Sequence, residues 1–146
     1  MTTVVTTASA RSLALAHYAA RGVLEHVLSR HGVTFQQQIT LRAAAAVDAL
    51  TPAELVAEVH GSLKADPAAI STTVEELQAK RLLTRTGARL RATDAGRQVL
   101  DASAADVAPV SARIWDGIPA EDLAAVGRVL ALVTDRANAE LAAMTA

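Results

Sequence analysis

The densest cationic stretch of this 146-residue chain lies between residues 81 and 97. There Arg81, Arg85, Arg89, Arg91 and Arg97 stand against a single acid, Asp94. A guanidinium is always charged and carries several N–H donors, so a cluster of them suits the binding of phosphate oxygens. The net charge of −1 conceals this, because from residue 98 onward three basic residues face seven acidic ones. A nucleic-acid backbone meets the local distribution of charge and not its average. The four histidines, His17, His26, His31 and His60, form no H-E-x-x-H pair, and none stands at a recognised metal-ligand spacing. The absence of cysteine removes disulfides, thiol nucleophiles and thiolate metal sites. No nucleophile elbow, phosphate loop or triad spacing is visible. These residues predict a binding protein and not an enzyme, with no metal and no cofactor.

The elements that hold such a cluster must be mainly helical. Hydrophobic residues make up 51% of the chain, many of them alanine, with one Phe, one Tyr and one Trp. Ala, Leu, Arg and Glu are favourable in helices, while alanine contributes little apolar area, which predicts a protomer that gains buried surface from a partner. The length fits a single domain, 1–146. No run of eighteen apolar residues is present, so no membrane association is expected. The opening segment MTTVVTTASAR has no basic leader before a long apolar run and reads as a frayed cytoplasmic terminus.

The periodicity of apolar residues places the helices. Leu13, His17, Ala20, Leu24, Val27 and Leu28 form a helical stripe over 11–30, with Gly32 as a stop. Thr34 with Gln37 three residues on forms a capping box opening a helix to about Val47. Thr51-Pro52-x-Glu54 opens a short helix to about Val59, and a polar turn HGSLKAD follows. Asp66-Pro67 starts a helix through Lys80 whose inner face is Ile70, Val74 and Leu77. Two short extended segments, 82–86 and 88–92, meet at Gly87 in a hairpin that needs helices as backing. A long helix from Thr93-Asp94 to about Trp115 contains Pro109, where a kink is expected. A last helix, Pro119 to about Ala143, carries Leu123, Val126, Leu130 and Val133 on one face.

Helix, turn, helix and basic hairpin make a winged helix-turn-helix over 34–93. Its second helix suits the major groove, with Ala68, Ser71 and Thr72 away from the apolar face, either reading base edges or forming plain helix surface. Arg85, Arg89 and Arg91 suit phosphate or minor-groove contact, against the alternative of a solvated hairpin. Lys64 and Lys80 suit phosphate contact, Lys64 being taken with the DNA-binding set, against the alternative of ordinary surface. The apolar helices 11–30 and 94–143 are expected to bundle across a two-fold axis, setting two reading heads about 34 Å apart.

At this point the chain resembles the multiple-antibiotic-resistance regulator (MarR) family. The resemblance runs through TFQQQ (34–38), TPAELVAEV (51–59), ISTTVEELQAKRLLTR (70–85) and LRATDAGRQVL (90–100), and spans roughly 11–143. It implies a mainly α winged helix-turn-helix protein whose long terminal helices form a dimerisation bundle. It implies a homodimer on pseudo-palindromic double-stranded DNA, acting as a repressor and released by a small aromatic or other small-molecule effector. The cleft position known for the family brings forward His17, Tyr18, His26, Phe35 and Trp115 as effector-binding candidates. His17 on an apolar stripe also fits a hydrogen-bonded interface residue, and Trp115 fits a packing anchor. Three features depart from the family pattern. The wing is short and lacks an acidic-arginine tip, Arg81 stands where a glycine is usual, and the groove-facing helix carries Glu75 and Glu76 but no arginine. These departures keep a second reading open: a winged-helix dimer that acts through protein contacts without reading DNA itself.

Overall fold

The first five helices of the computed structural model, which describes residues 7–146, begin where a side chain can satisfy the first free amides, while α6 follows Pro119 with no side-chain cap. The reading of the terminal segment falls mostly on residues 1–6, outside the described residues. Ser9 and Ser12 cap α1 (Ala10–Ser29), Thr34 and Gln37 cap α2 (Phe35–Ala45), and Thr51 and Glu54 cap α3 (Pro52–Leu63), each as a reciprocal capping box. Asp66 accepts from the Ala68 amide at 2.9 Å at the head of α4 (Pro67–Ala79). Strands β1 (Leu83–Thr86) and β2 (Arg89–Ala92) turn at Gly87, where φ is +61°. Then come α5 (Asp94–Trp115), which contains Pro109, and α6 (Ala120–Met144).

One boundary differs from expectation. The turn predicted from His60 starts four residues later, because His60 and Gly61 remain helical and α3 continues to Leu63. Leu63 packs against the core, and the helix ends where Lys64 adopts a left-handed conformation with φ of 56°. The His60 ring nitrogen Nδ1 then bonds the Ala65 carbonyl at 2.8 Å, fixing the exit.

The chain divides into two compact units, Met1–Pro109 and Val110–Ala146, the boundary falling inside α5. The first holds the core: Leu28, Leu41, Leu55, Val59, Ile70, Leu77 and Leu90 have no exposed surface, and Val33, Val74 and Leu83 have almost none. Burying each such side chain contributes roughly 1.5–3 kcal/mol, so the helices α2, α3 and α4 and the hairpin stabilise one another. The strands pair antiparallel from Leu83↔Ala92 to Thr86↔Arg89. On the other edge of β2, Leu50 and Leu90 exchange both backbone bonds, at 3.2 and 2.7 Å. That extra bridge gives the two-stranded wing a third, one-residue strand and ties it to the loop between α2 and α3.

The base of the wing is locked to the start of α5. The Thr93 amide donates to the Leu82 carbonyl (3.0 Å), its hydroxyl donates to the Arg81 carbonyl (2.7 Å), and the Gly96 amide donates to that hydroxyl (3.0 Å). A Cβ on Gly96 would overlap the Leu82 carbonyl oxygen, so only glycine permits this approach. In the second unit no residue of α6 is buried within the single chain. Among the described residues no helix is long and apolar enough to cross a membrane.

Candidate nucleic-acid interface

Helix α4 buries Ile70, Thr73, Val74 and Leu77. At 100° per residue the face opposite that stripe consists of Ala68, Thr72, Glu75 and Ala79, with Ser71 beside it, all of them exposed. Two of the three residues expected to read DNA, Ala68 and Thr72, therefore share the outermost line, and Ser71 flanks it. The Thr72 hydroxyl donates to the Ala68 carbonyl at 3.2 Å, which leaves its oxygen as an acceptor toward solvent. The helix is held from behind by α2. Gln36 Nε2 donates to Thr73 Oγ1 (2.8 Å), Gln37 Nε2 donates to Glu76 Oε2 (2.7 Å), and Lys80 Nζ donates to both Gln37 Oε1 (2.8 Å) and the Gly32 carbonyl (2.7 Å). The two adjacent acids are thus separated: Glu76 is turned to α2, and Glu75 faces outward. Lys80 is occupied as a strap. Lys64, at the end of α3, donates to the carbonyl of Gly61 in its own helix.

The wing arginines split between two faces. Leu83, Leu90 and Ala92 are buried on one side of the hairpin, and the register puts Arg85 at the tip of that same side. Its Nε donates to the Gly87 carbonyl at 3.1 Å, bracing the turn. Arg89 and Arg91 lie on the other, exposed face with Thr84 and Thr86. Arg91 Nε donates to the Asp48 carbonyl (2.8 Å) and Arg89 Nη1 to the Ala49 carbonyl (3.1 Å). These bonds use one donor from each guanidinium and orient the rest. Arg89 also borders an open groove of about 490 Å³ with Ala43, Val47, Leu50, Glu54 and Glu58.

The effector candidates on α1 do not all share one face. His17 and Tyr18, on α1, have ring centroids 6.0 Å apart and line a shallow apolar depression with Ala10, Leu13 and Ala14. Arg21, one turn further along α1, stacks its guanidinium 4.4 Å from the centroid of the Phe35 ring while pairing with Glu25 at 2.9 Å. His26 lies nine residues after His17, which is half a turn round the helix, so it faces away from His17. Trp115 belongs to the second unit and is half exposed. Arg21 escaped the sequence reading, although an Arg four residues before a Glu on a helix is a visible pairing signal. His31 Nε2 and Asp106 Oδ2 approach to 2.8 Å. Among the described residues no group of three or more His, Cys, Asp or Glu side chains is arranged to hold a metal ion.

No family model matches the sequence, and no curated protein matches it. Solved structures do. A MarR-family protein from Mycobacterium tuberculosis, solved in complex with DNA, superposes with a TM-score of 0.67 at 23% identity over 87% of this chain and 98% of its own. The reduced form of MarR from E. coli gives 0.70 at 19% identity over 88% and 94%. CouR from Rhodococcus jostii RHA1, bound to p-coumaroyl-CoA, gives 0.69 at 22% identity over 81% and 85%. Element for element, this chain has the winged-helix fold of the MarR-family transcriptional regulators.

Proposed function

We propose that this protein is a transcriptional regulator of the MarR type that binds pseudo-palindromic double-stranded DNA as a homodimer and represses the genes behind its site. The observation that carries the reading is the pairing of two exposed surfaces in one unit. An outer face of α4 made of short side chains accompanies a wing face bearing Arg89 and Arg91. Short side chains let a helix approach the floor of the major groove, and the arginines supply salt-dependent attraction to the backbone. Support also comes from the DNA complex of the similar M. tuberculosis protein. A regulator of this kind works in the cytoplasm and does no catalysis.

The dimer follows from the surface left uncovered. Leu13, Leu15 and Tyr18 on α1 and Val126, Val129, Leu132 and Leu141 on α6 are exposed in the single chain. Such apolar helices gain stability from tertiary or quaternary burial and little from propensity alone. Release by a small aromatic acid fits the Arg21–Phe35 stack beside His17 and Tyr18: a guanidinium binds a carboxylate, and ring faces bind a ring. The complex of an M. tuberculosis MarR-family protein with p-aminosalicylic acid is consistent with a ligand of this kind.

The test is selection of duplexes from a random DNA pool, followed by binding across a salt series. Recovery of a pseudo-palindrome is expected, with affinity that falls steeply as salt rises. Arg89→Ala should weaken every duplex alike and lower the log–log salt slope by about one per protomer. Properly folded protein that enriches nothing would defeat this reading and favour a winged-helix dimer that acts through protein contacts.

A further inference from the structure

Adjacent acids in a groove-facing helix would ordinarily weaken DNA binding, since carboxylates repel phosphates. The structure gives the two acids different surroundings. Glu76 accepts a hydrogen bond from Gln37, which is itself buried against α4 and bonded to Lys80. Its charge is held on the α2 side of the helix. Glu75 is exposed, lies between Thr72 and Ala79 on the line opposite the core, and makes no hydrogen bond or ion pair with other described residues. Every other residue on that line is short. On such a face the longest side chain projects furthest, and here that side chain is an acceptor without a donor.

We propose that Glu75 is a specificity-determining residue that reads a cytosine in each half-site of the DNA. The inference rests on the DNA-binding reading above. An ionised carboxylate only accepts hydrogen bonds. In the major groove the base donors are the cytosine N4 amine and the adenine N6 amine. Adenine places the N7 acceptor beside its amine, which repels a carboxylate, whereas the cytosine edge lacks that acceptor. The carboxylate is also central on the reading face, and with the helix seated in the major groove as proposed such a residue would be farther from the phosphates than one on the helix flank. The same charge that lowers general affinity therefore penalises sites that lack the amine, so Glu75 acts by rejecting wrong bases more than by adding affinity.

The experiment is the same random-pool selection run in parallel with the wild type, Glu75→Gln and Glu75→Ala. Glu75 is exposed and outside the core, so both variants should fold, and circular dichroism with thermal melting checks that they do. The wild type should return a half-site with one strongly preferred C·G pair. Glu75→Gln should change that column toward adenine, which glutamine contacts through N6 and N7, and leave the other columns in place. Glu75→Ala should flatten the column, and the preference for C over other bases there should fall about tenfold. A wild-type palindrome with every column unchanged in Glu75→Gln would overturn the assignment while leaving the DNA-binding reading intact. Uniformly tighter binding by both variants, with no column altered, would overturn it as well and make Glu75 a simple repulsive charge. Failure of the folded wild type to enrich any sequence would defeat the DNA-binding reading itself, and this proposal with it.

Discussion

Leu55, Ile70, Leu77 and Leu90 are fully shielded from solvent, whereas Val129 (50% exposed), Leu132 (49%) and Leu141 (42%), residues of the same character on α6, are not. The two sets occur in one chain with the same alanine-rich background. Around the wing, three helices and a hairpin close on one another, and their caps, straps and backbone bridges all lie inside one unit. In α6 the apolar residues are spread along 25 residues of helix with nothing buried inside the chain. The contrast teaches that the packing of the chain is concentrated in the first unit, the proposed reading head, while the apolar residues of α6 find no burial in the single chain and on the proposed reading gain it from a second copy.

The strongest way to break the head is at its closest backbone approach. Gly96 sits directly against the Leu82 carbonyl, where Thr93 stitches the wing base to α5. Gly96→Ala has to displace backbone and not a flexible side-chain tip. We expect a loss of about 3 kcal/mol or more, comparable with severe overpacking, read as a lower urea midpoint. A midpoint unchanged from the wild type would mean that the wing base and α5 are not packed as closely as described.

The next pair of substitutions sharpens the contrast itself. Leu77→Ala empties part of the shielded core and should destabilise the protein by about 2–5 kcal/mol. Leu132→Ala removes the same atoms from α6 and should change monomer stability by only about 0.5 kcal/mol or less. Leu132→Asp should instead shift self-association, raising the dimer dissociation constant on the order of tenfold or more because it would bury a charge in the proposed interface. Sedimentation equilibrium against protein concentration separates the two effects. Equal losses of monomer stability at both leucines would show that α6 is packed within its own chain.

Much of the head was legible because local chemistry marks its boundaries. Thr34, Thr51 and Asp66 cap where the sequence places them, and the 3.6-residue rhythm of Ile70, Val74 and Leu77 fixes which face of α4 is hidden. The end of α3 is not legible locally, because His60 and Gly61 resemble turn residues while the actual stop depends on the backbone angle of Lys64. The arginines were legible as a cluster but not as two faces. That split comes from strand register, and Arg89 and Arg91 bond carbonyls 40 and 43 positions earlier, at Ala49 and Asp48. Glu75 and Glu76 are neighbours in sequence, and only the partner of Glu76 on α2 separates their roles. Only the family resemblance assigns His26 and Trp115 to a cleft, and helix phase turns His26 away from His17. Local periodicity therefore reveals which surfaces are apolar, while long-range pairing decides what the polar groups on the remaining surfaces do.

The smallest predicted effect concerns a residue whose sequence position looked anomalous. Arg81 follows α4 at the entry to the wing, where the related family usually has glycine. Its φ is +59°, in the left-handed region that side chains disfavour. The Arg81 amide donates to the Gln78 carbonyl at 2.9 Å, and the next amide, that of Leu82, donates to the Leu77 carbonyl at 2.9 Å. This ending of α4 demands the left-handed residue whatever its side chain. A non-glycine residue held there carries strain of about 1 kcal/mol or slightly more, partly offset by the greater freedom glycine has when unfolded. Arg81→Gly should therefore stabilise the head by roughly 0.5–1 kcal/mol, seen as a small rise in urea midpoint, although it removes a charge from the cationic run. If Arg81 also contacts phosphate, the same variant should bind DNA more weakly as it becomes more stable. A stability gain without loss of affinity would confine the role of Arg81 to the turn. A stability loss would show that its side chain makes a favourable interaction larger than the strain.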